Sequence, residues 1–498
     1  MILLATAFTD PTFVTYIFLV LAILLALSFE FVNGFHDTAN AVATVIYTNT
    51  LKATPAVVWS GIWNLIGVLT SSGLVAFGIV ALLPAELVLN IGSAAGFAMV
   101  FSLLISAIVW NLGTWYFGLP SSSSHTLIGS ILGVGLANSL MGPTHSMTDG
   151  VNWAKAQDVG LGLLISPVIG FCAAGLLLLL CKALIKNPAL YKAPVGKTPP
   201  PFWIRGILML TCTGVSFAHG SNDGQKGMGL IVLILVGILP GTYALKMSAD
   251  QSTVANVAET AKSLGQVFEK SGENIDLDDK EADETLTEYI KASGTLSPKV
   301  YAALASQCED LSSRLGSSKT LEDLPEKDRG DVRSDLYLLS KTIAKFKKVG
   351  SALTAPDLAK AAELQKNGEQ LTNYIPDWVK YAVALALGLG TMIGYRRIVV
   401  TVGEKIGKDH LTYAQGGSAE LVAMCTILAA DHFGLPVSTT HVLSSGVAGT
   451  MAANKSGLQM ATLRNIFMAW ILTLPVCIFL GALLFALGLN ALALLGLQ

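Results

Sequence analysis

The chain has 498 residues, of which 52% are hydrophobic and only 13% are charged, and its formal net charge at pH 7 is −2. Soluble domains are nearer a quarter charged, so this composition argues against a purely soluble enzyme or a nucleic-acid-binding protein. The small net charge gives no reason to invoke an acidic partner.

The charged residues are concentrated in one segment. Residues 246–376 contain 22 of the 34 acidic and 17 of the 32 basic residues, and they show helical periodicity in pieces without a catalytic or ligand motif. The remaining residues include several runs of about 20 apolar residues, which is long enough to cross a hydrocarbon core of ~30 Å. The sequence therefore predicts an all-α polytopic protein of the lipid bilayer that carries one soluble helical insert.

In chain order, candidate membrane segments lie at residues 13–29, 33–50, 55–83, 92–117, 121–140, 159–181, 203–219, 222–240, 378–395, 414–432, 436–453 and 465–495. The segment from Lys182 to Arg205 contains four lysines and the run TPPP. It is interpreted as a cytoplasmic linker, because cytoplasmic loops are enriched in basic residues. The resulting division is a first membrane repeat (1–181), the basic linker (182–202), the start of a second repeat (203–245), the insert (246–376) and the rest of the second repeat (377–498).

Two motifs occur once in each half and indicate a duplication. NGFHDTANA at 33–41 aligns with HGSNDGQKG at 219–227, and FGLPSSSSHTL at 117–127 aligns with FGLPVSTTHVL at 433–443. Asp37 and His125 are 88 residues apart and Asp223 and His441 are 218 apart, and the insert accounts for the difference. Duplicated membrane segments with polar, Gly- or Pro-interrupted stretches at matching positions are typical of secondary transporters whose site lies where the repeats meet.

Asp37 and Asp223 are carboxylates within otherwise apolar segments, each near a glycine that would permit an irregular backbone. A carboxylate at membrane depth is costly unless it is paired or faces a wet cavity, so both are candidates for binding or relaying a cation. Asn40 and Asn222 add neutral ligand atoms beside them. A structural ion pair, for example between Asp223 and Lys226, is the alternative.

His36 and His219 flank the two aspartate motifs. Imidazole titrates near neutral pH, so these histidines are candidates for proton coupling. The alternative is that each is a hydrogen-bonded histidine within the helix packing.

The second motif predicts two helix starts that bind an anion. A proline ends one segment, and the Ser/Thr run after it resembles a capped helix N-terminus. Helix N-termini present free N–H groups and hydroxyls add donors, so two such ends could bind a tetrahedral oxyanion without arginine. The alternative is solvation of a helix end or close helix packing. The candidate anion contacts are Ser122, Ser123, Ser438 and Thr439. His125 and His441 are each expected to make a hydrogen bond that fixes the hairpin in which they lie.

The chain contains no GxxxxGK[ST], GxSxG or HExxH motif. Nucleotide hydrolysis, serine hydrolysis and zincin chemistry therefore have no basis in the sequence. The chain is predicted not to be an enzyme and to have no resident cofactor.

At these residues the chain resembles the inorganic phosphate transporter (PiT) family, and its low-affinity bacterial branch in particular, through GFHDTANA at 34–41, DGQKG at 223–227 and the twin LP[SV]S[ST][ST]H hairpins. The resemblance implies a fold of inverted repeats with two re-entrant hairpins, a homodimer, and symport of inorganic phosphate with a cation across the bacterial inner membrane. It also implies a cytoplasmic insert, assigns cation and phosphate positions to Asp37, Asn40 and Asp223, and gives the phosphate contacts to the hairpin hydroxyls. Carriage of a metal-phosphate complex is a further implication.

One position departs from the family pattern. Many sodium-coupled members read Asp-x-x-Asn in both repeats, whereas Lys226 stands where the second Asn would be. A fixed ammonium could occupy the space of a bound sodium or pair with phosphate. The hypothesis is a proton-coupled phosphate symporter that works by alternating access.

Three other functions remain open. A sulfate or other oxyanion permease would use the same donors, and a sodium-coupled phosphate symporter would use the same acids. From a different class, a membrane receptor or sensor would use the insert as a signalling module. Phosphate is favoured over sulfate because it still carries a proton at neutral pH and can donate it to a buried carboxylate.

Overall fold

A computed structural model describes residues 13–494 except residues 84, 90–91, 143–149, 274, 292, 319 and 352, and it leaves the side chains of residues 13, 14 and 38–40 undescribed. Its regular elements are α-helices apart from one 3-10 turn at Pro188–Tyr191. In the first half these are α1 (Phe13–Tyr47), α2 (Ala53–Thr70), α3 (Leu74–Val80), α4 (Ala85–Leu89), α5 (Ala94–Tyr116), α6 (Ser123–Met141) and α7 (Trp153–Leu184).

The second half begins with α8 (Phe202–Ile238) and α9 (Pro240–Tyr243). The charged segment then forms α10 (Gln251–Ser271), α11 (Asp279–Ile290), α12 (Pro298–Gly316), α13 (Glu326–Val349) and α14 (Ala355–Thr372). The chain ends with α15 (Asp377–Met392), α16 (Arg396–Glu404), α17 (Tyr413–His432), α18 (Thr439–Ala453) and α19 (Met460–Leu494).

Several of these helices can cross a membrane. Within the described residues, α1, α2, α5, α7 and α19 are long and apolar enough, and α15 with α16 gives a sixth span if this pair, bent by 63°, is taken as one. The prediction of an all-helical, multi-pass membrane protein is therefore confirmed. The 37-residue α8 has a polar centre that lowers its hydropathy, but at 1.5 Å per residue it is about 55 Å long.

The two aspartate motifs lie on uninterrupted helices, which corrects the prediction of separate segments at 13–29 and 33–50 and at 203–219 and 222–240. The glycines of the motifs serve close helix packing instead of an irregular backbone. A Cβ at Gly34 would collide with the carbonyl oxygen of Leu387 on α15, and a Cβ at Gly220 would collide with that of Asn64 on α2. Glycine lets these backbones touch while both helices stay continuous.

The same helix contacts recur in the two halves. α1 packs on α15 as α8 packs on α2, and α6 packs on α19 as α18 packs on α7. In each case a helix of the first half meets a helix of the second. Each half therefore completes the other, and the aspartate helices and hairpin helices are held in one bundle.

Helices α10–α14 have an apolar core of their own, separate from the two cores of the membrane bundle. Polar contacts fasten this insert to the bundle. Lys291 Nζ lies 2.7 Å from Glu86 Oε1 on α4, and Arg329 Nη1 donates to the Gly241 carbonyl at 2.9 Å. The insert is thus docked on the bundle at the end of α8.

The linker and the insert lie at opposite ends of α8, because this helix runs between them without a break. At the linker end, Asn49 Nδ2 donates to the Gly196 carbonyl at 3.0 Å, and Lys182 donates to Asn454. This end is called the linker face, and the other the insert face. A linker and an insert that are both cytoplasmic would require that α8 does not cross the membrane.

Candidate functional site

Two carboxylates, one from each half, meet inside the helix bundle. Asp37 on α1 and Asp223 on α8 are only 2% and 0% exposed. The hydroxyl of Ser123, the first residue of α6, lies 3.0 Å from Asp37 Oδ2 and 3.4 Å from Asp223 Oδ2. Ser123 therefore links the two acids that the sequence analysis identified.

The second hairpin motif reaches the same place. Thr440 on α18 donates from its hydroxyl to Asp37 Oδ1. Ser124 on α6 donates to the carbonyl of Val437, just before α18, at 2.8 Å. The two hairpin motifs thus contact each other as well as the carboxylate.

Both hairpin helices begin at this cluster. Ser122 caps α6 by accepting from the His125 N–H at 3.2 Å, and Ser438 caps α18 by accepting from the His441 N–H at 3.1 Å. The predicted capped helix starts are confirmed, and they engage the Ser122 and Ser438 side chains with the backbone. Thr439 Oγ1 is buried without a partner among the described residues, so this hydroxyl is available to a ligand. Helix N-termini favour anions.

His219 lies between the two acids. Asn64 Nδ2 donates to Thr391 Oγ1 at 3.1 Å, which directs Asn64 Oδ1 towards His219 Nδ1, 2.7 Å away. Nδ1 then carries a hydrogen, because an amide oxygen only accepts. Nε2 lies 3.4 Å from Asp223 Oδ2 and 3.9 Å from Asp37 Oδ2. This contact is favourable when a proton or another cation lies between the imidazole and the carboxylates.

His36 lies on the other side of Asp37. Its Nδ1 is 3.3 Å from Asp37 Oδ1, and its Nε2 is 3.1 Å from Thr114 Oγ1. Thr114 Oγ1 donates to the Trp110 carbonyl at 3.0 Å, so it accepts from His36. Asp37 is therefore flanked by two imidazoles, each with one ring nitrogen directed at a carboxylate.

Lys226 is fully buried beside Asp223. Its Nζ lies 2.8 Å from Asp223 Oδ1 and 3.4 Å from Ser123 Oγ. The ion pair raised as a structural alternative is present, and it is part of the cluster. With Asp37 and Asp223 ionised and Lys226 charged, one more positive charge is needed for neutrality, and a low-dielectric site favours neutrality strongly.

Asn222 contacts the second hairpin. Its Nδ2 donates to the Leu435 carbonyl at 3.2 Å, and its Oδ1 has no partner within the described part of the chain. The preceding residue, Ser221, donates to Asp431 Oδ2 at 2.6 Å. The side chain of Asn40, the remaining predicted site residue, lies outside the described residues.

One group in the described ranges has the geometry to hold a metal ion. Asp37, His219 and Asp223 each offer one ligand atom, and these atoms all lie within 4.8 Å of one another. Two carboxylate oxygens and one imidazole nitrogen suit several divalent cations. Lys226 competes for one of these carboxylates.

The model of the phosphate transporter family matches residues 33–481 of this sequence. The chain belongs to this family. The resemblance drawn from the motifs is confirmed, and so is the prediction of a transporter instead of an enzyme. This phosphate transporter family member is similar over nearly its whole length to several bacterial relatives.

One relative is the "Low-affinity inorganic phosphate transporter PitA" of Escherichia coli (strain K12), 42% identical over 492 residues, with 96% of this chain and 97% of the relative covered. PitB of the same strain is 41% identical, with 94% and 96% covered. The "Probable low-affinity inorganic phosphate transporter" of Bacillus subtilis (strain 168) is 27% identical, with 93% and 95% covered. The solved structure of "The sodium-dependent phosphate transporter" has a TM-score of 0.50 at 20% identity, covers 94% of this chain and 98% of that one, and supports the fold alone.

Sequence reasoning missed two residues of the site in this family member. Thr440 belongs to the second hairpin motif, but the sequence analysis selected its neighbour Thr439 as the anion contact. A run of Ser and Thr residues does not reveal which of them faces a carboxylate. Asn64 is a lone amide in the apolar α2 and orients His219. The sequence signal that could have identified Asn64 is an isolated amide in an apolar helix.

The hairpin histidines contact each other through their rings. His125 and His441 rings lie 4.6 Å apart between centroids, and His441 stacks on Trp470 at 4.1 Å. His125 Nδ1 and His441 Nε2 have no hydrogen-bond partner among the described residues. The two tilted rings thus bring the two hairpins into contact with each other.

Proposed function

We propose that the protein is a proton-coupled symporter of inorganic phosphate in a bacterial inner membrane. The observation that carries the proposal is the single buried cluster formed by Asp37 and Asp223 around Ser123, with Lys226 inside it. Membership of the phosphate transporter family and the names of its bacterial relatives support phosphate as the substrate.

Proton coupling is supported by the charge of the cluster. The Lys226 ammonium already lies next to Asp223, 2.8 Å away. The charge that is still required can be a proton shared between Asp37 and His36 or His219, since both imidazoles contact carboxylate oxygens. Histidine exchanges protons near neutral pH, so a proton fits this position.

Phosphate suits the donors and acceptors at the hairpin starts. The buried Thr439 hydroxyl, the amide oxygen of Asn222 and the N-termini of α6 and α18 lie at or beside the carboxylates. Monohydrogen phosphate can accept from these donors and donate its own proton to an acceptor. Sulfate has no proton to donate at neutral pH and would leave the acceptor unpaired, which is a costly arrangement in a buried site.

Carriage of phosphate as a neutral metal complex is the finer version of this proposal. The ligand atoms of Asp37, His219 and Asp223 suit a divalent cation. A complex of such a cation with monohydrogen phosphate has no net charge, which lowers the cost of moving phosphate through a low-dielectric bundle. In this version the metal is cargo.

The reciprocal packing of the halves supports alternating access around the cluster. The starts of α5 and α7 lie on the insert face. There Gly92, just before α5, approaches Gly237, and Asn152, just before α7, donates to the Ala81 carbonyl at 3.2 Å. The end of α18 lies on the linker face, where Asn454 accepts from Lys182. We therefore assign α5–α6 and α17–α18 to re-entrant hairpins that enter from opposite faces of an inverted repeat. The homodimer implied by the family resemblance stays a prediction.

The orientation in the membrane follows from the basic residues. Most lysines and arginines outside the insert lie on the linker face, whereas Lys155 and Lys380 lie on the insert face. By the positive-inside rule the linker face is cytoplasmic and the insert is periplasmic. The basic residues of the linker face are Lys52, Lys182, Lys186, Lys192, Lys197, Arg205, Lys405, Lys408, Lys455 and Arg464.

Labelling with a membrane-impermeant maleimide tests this orientation. In a variant without native cysteines, Glu363→Cys in the insert is expected to react once the outer membrane is opened. Lys192→Cys in the linker is expected to react only after the inner membrane is disrupted. The opposite pattern would place the insert in the cytoplasm.

Uptake by proteoliposomes tests the function. Labelled phosphate is expected to accumulate when a pH gradient, acidic outside, is imposed, and a sodium gradient at constant pH is expected to have little effect. A tenfold excess of sulfate is expected to compete weakly with phosphate. Comparing uptake with and without added Mg²⁺ or Zn²⁺ distinguishes transport of free phosphate from transport of a metal-phosphate complex. Uptake that follows the sodium gradient alone would refute proton coupling, and absence of phosphate uptake would refute the transporter proposal.

A further inference from the structure

A cavity lies between the insert and the membrane bundle, away from the buried acid cluster. Its volume is about 430 Å³. One wall is apolar and comes from α3, α4 and the end of α8, including Val232 and Val236. The other wall is polar and comes from the insert, where Arg333 and Lys341 lie on α13 and Asn373 directly follows α14.

The two basic side chains of this cavity have no acidic partner. Within the described residues, no carboxylate oxygen lies within 4.0 Å of the Arg333 guanidinium or the Lys341 ammonium. Arg333 Nη1 donates only to the carbonyls of Ala244 and Thr372, at 2.8 Å each. Both side chains are half-buried, so an anion in the cavity would be favoured by their positive charge, which no carboxylate neutralises at close range.

The acids in the cavity wall are engaged elsewhere. Asp331 lies 2.7 Å from Arg314 Nη1. Glu369 Oε1 accepts from Ser340 at 3.3 Å and from Gln365 at 3.2 Å. Neither acid neutralises the two cations at ion-pair distance, so the positive charge remains available to a ligand.

The electrostatics of the insert agree with this geometry. Burial lowers the pKa of Lys341 to about 8; Glu369 opposes this effect and Lys155 adds to it. Burial also lowers the pKa of Arg333 to about 10. Both groups are still largely protonated at pH 7, and both would gain from a nearby anion.

We propose that this cavity is a second anion site, in which Arg333 and Lys341 bind a phosphate group. Arginine and lysine both bind phosphate oxygens well, arginine through its planar fork and lysine as a point charge. The cavity is much larger than a phosphate ion, and its second wall is apolar. The ligand class is therefore a phosphate group borne on an apolar body, such as an anionic phospholipid, with free phosphate as the other source of the same chemistry.

The site is placed to influence α8. Val232, Val236 and Gly237 line the cavity, and Asp223 and Lys226 lie on the same continuous helix. A ligand held between α8 and α13 would fasten the insert to the helix that carries the acid cluster. The expected consequence is a change in transport rate, with the cluster itself unaltered.

Thermal unfolding of the full-length protein in a neutral detergent tests the site. The probes are dihexanoyl phosphatidic acid, inorganic phosphate and, as a neutral comparison, dihexanoyl phosphatidylcholine. Lys341→Gln is compared with Lys348→Gln, which removes an exposed lysine from the same helix. Arg333→Lys is a second variant that keeps the charge but loses the planar fork.

Phosphatidic acid is expected to raise the midpoint of unfolding of the parent and of Lys348→Gln in a saturable way. Lys341→Gln is expected to need at least about tenfold more ligand, because one charge-assisted contact is lost. The same difference with inorganic phosphate identifies the free anion as a source, and its absence there identifies the lipid. Equal responses of Lys341→Gln and Lys348→Gln to both probes, or no response of the parent to either, would refute the site.

Discussion

Replacing Asp37 or Asp223 by Asn is expected to abolish phosphate uptake while the protein still inserts into the membrane. The Ser123 hydroxyl lies within hydrogen-bonding distance of both carboxylates, and Asp223 also neutralises Lys226. Breaking a buried ion pair costs about 3–5 kcal/mol, which corresponds to roughly a 150-fold to 4000-fold loss. The measurement is initial uptake in proteoliposomes, normalised to the amount of folded protein.

The matched control is Asp377→Asn, because the Asp377 side chain at the start of α15 is 85% exposed and makes only a loose contact with Lys380. This control is expected to keep full uptake. The two site variants are also compared by gel filtration and thermal unfolding, which separates loss of transport from loss of fold. Normal uptake by Asp37→Asn or Asp223→Asn would remove that carboxylate from the mechanism.

Replacing Lys226 by Asn is expected to uncouple uptake from the pH gradient. The substitution removes the fixed cation 2.8 Å from Asp223 and leaves room and an amide oxygen for another cation. Uptake driven by a pH gradient is expected to fall about 100-fold, and a sodium gradient is expected to restore part of it. The measurement is uptake under each gradient separately, over a range of sodium concentrations.

Lys226→Met serves as the control for this experiment. It removes the charge but supplies no oxygen ligand, so it is expected to lose pH-driven uptake without gaining sodium dependence. If Lys226→Asn keeps the pH-driven uptake of the parent and shows no response to sodium, the ammonium has no role in coupling. If Lys226→Asn and Lys226→Met respond equally to sodium, the sodium response arises from the space that the lysine side chain vacates and not from the amide oxygen.

Much of the architecture could be predicted from the local sequence. Apolar runs of about 20 residues predicted the membrane helices, because the thickness of the hydrocarbon core sets their length. The Pro-Ser/Thr pattern predicted the starts of α6 and α18, because a capping hydroxyl bonds an N–H only three residues away. The repeated motifs located Asp37 and Asp223 without any knowledge of the fold.

The continuity of the aspartate helices could not be predicted in this way. A glycine beside a buried acid is compatible with a broken helix and with an intact one. The intact form is stable here because α15 and α2 press their backbones against Gly34 and Gly220. That contact joins residues more than 150 positions apart, so no local pattern contains it.

The sequence by itself determined that this is a duplicated, helical membrane protein with two buried acids, because hydropathy, spacing and capping act over short stretches of chain. Only the tertiary structure decided that Thr440 contacts Asp37 and that Lys226 lies within the acid cluster. It also decided that the linker and the insert lie at opposite ends of α8, and that Arg333 and Lys341 share a cavity. Each of these depends on which side chains distant parts of the chain bring together, and only packing specifies that.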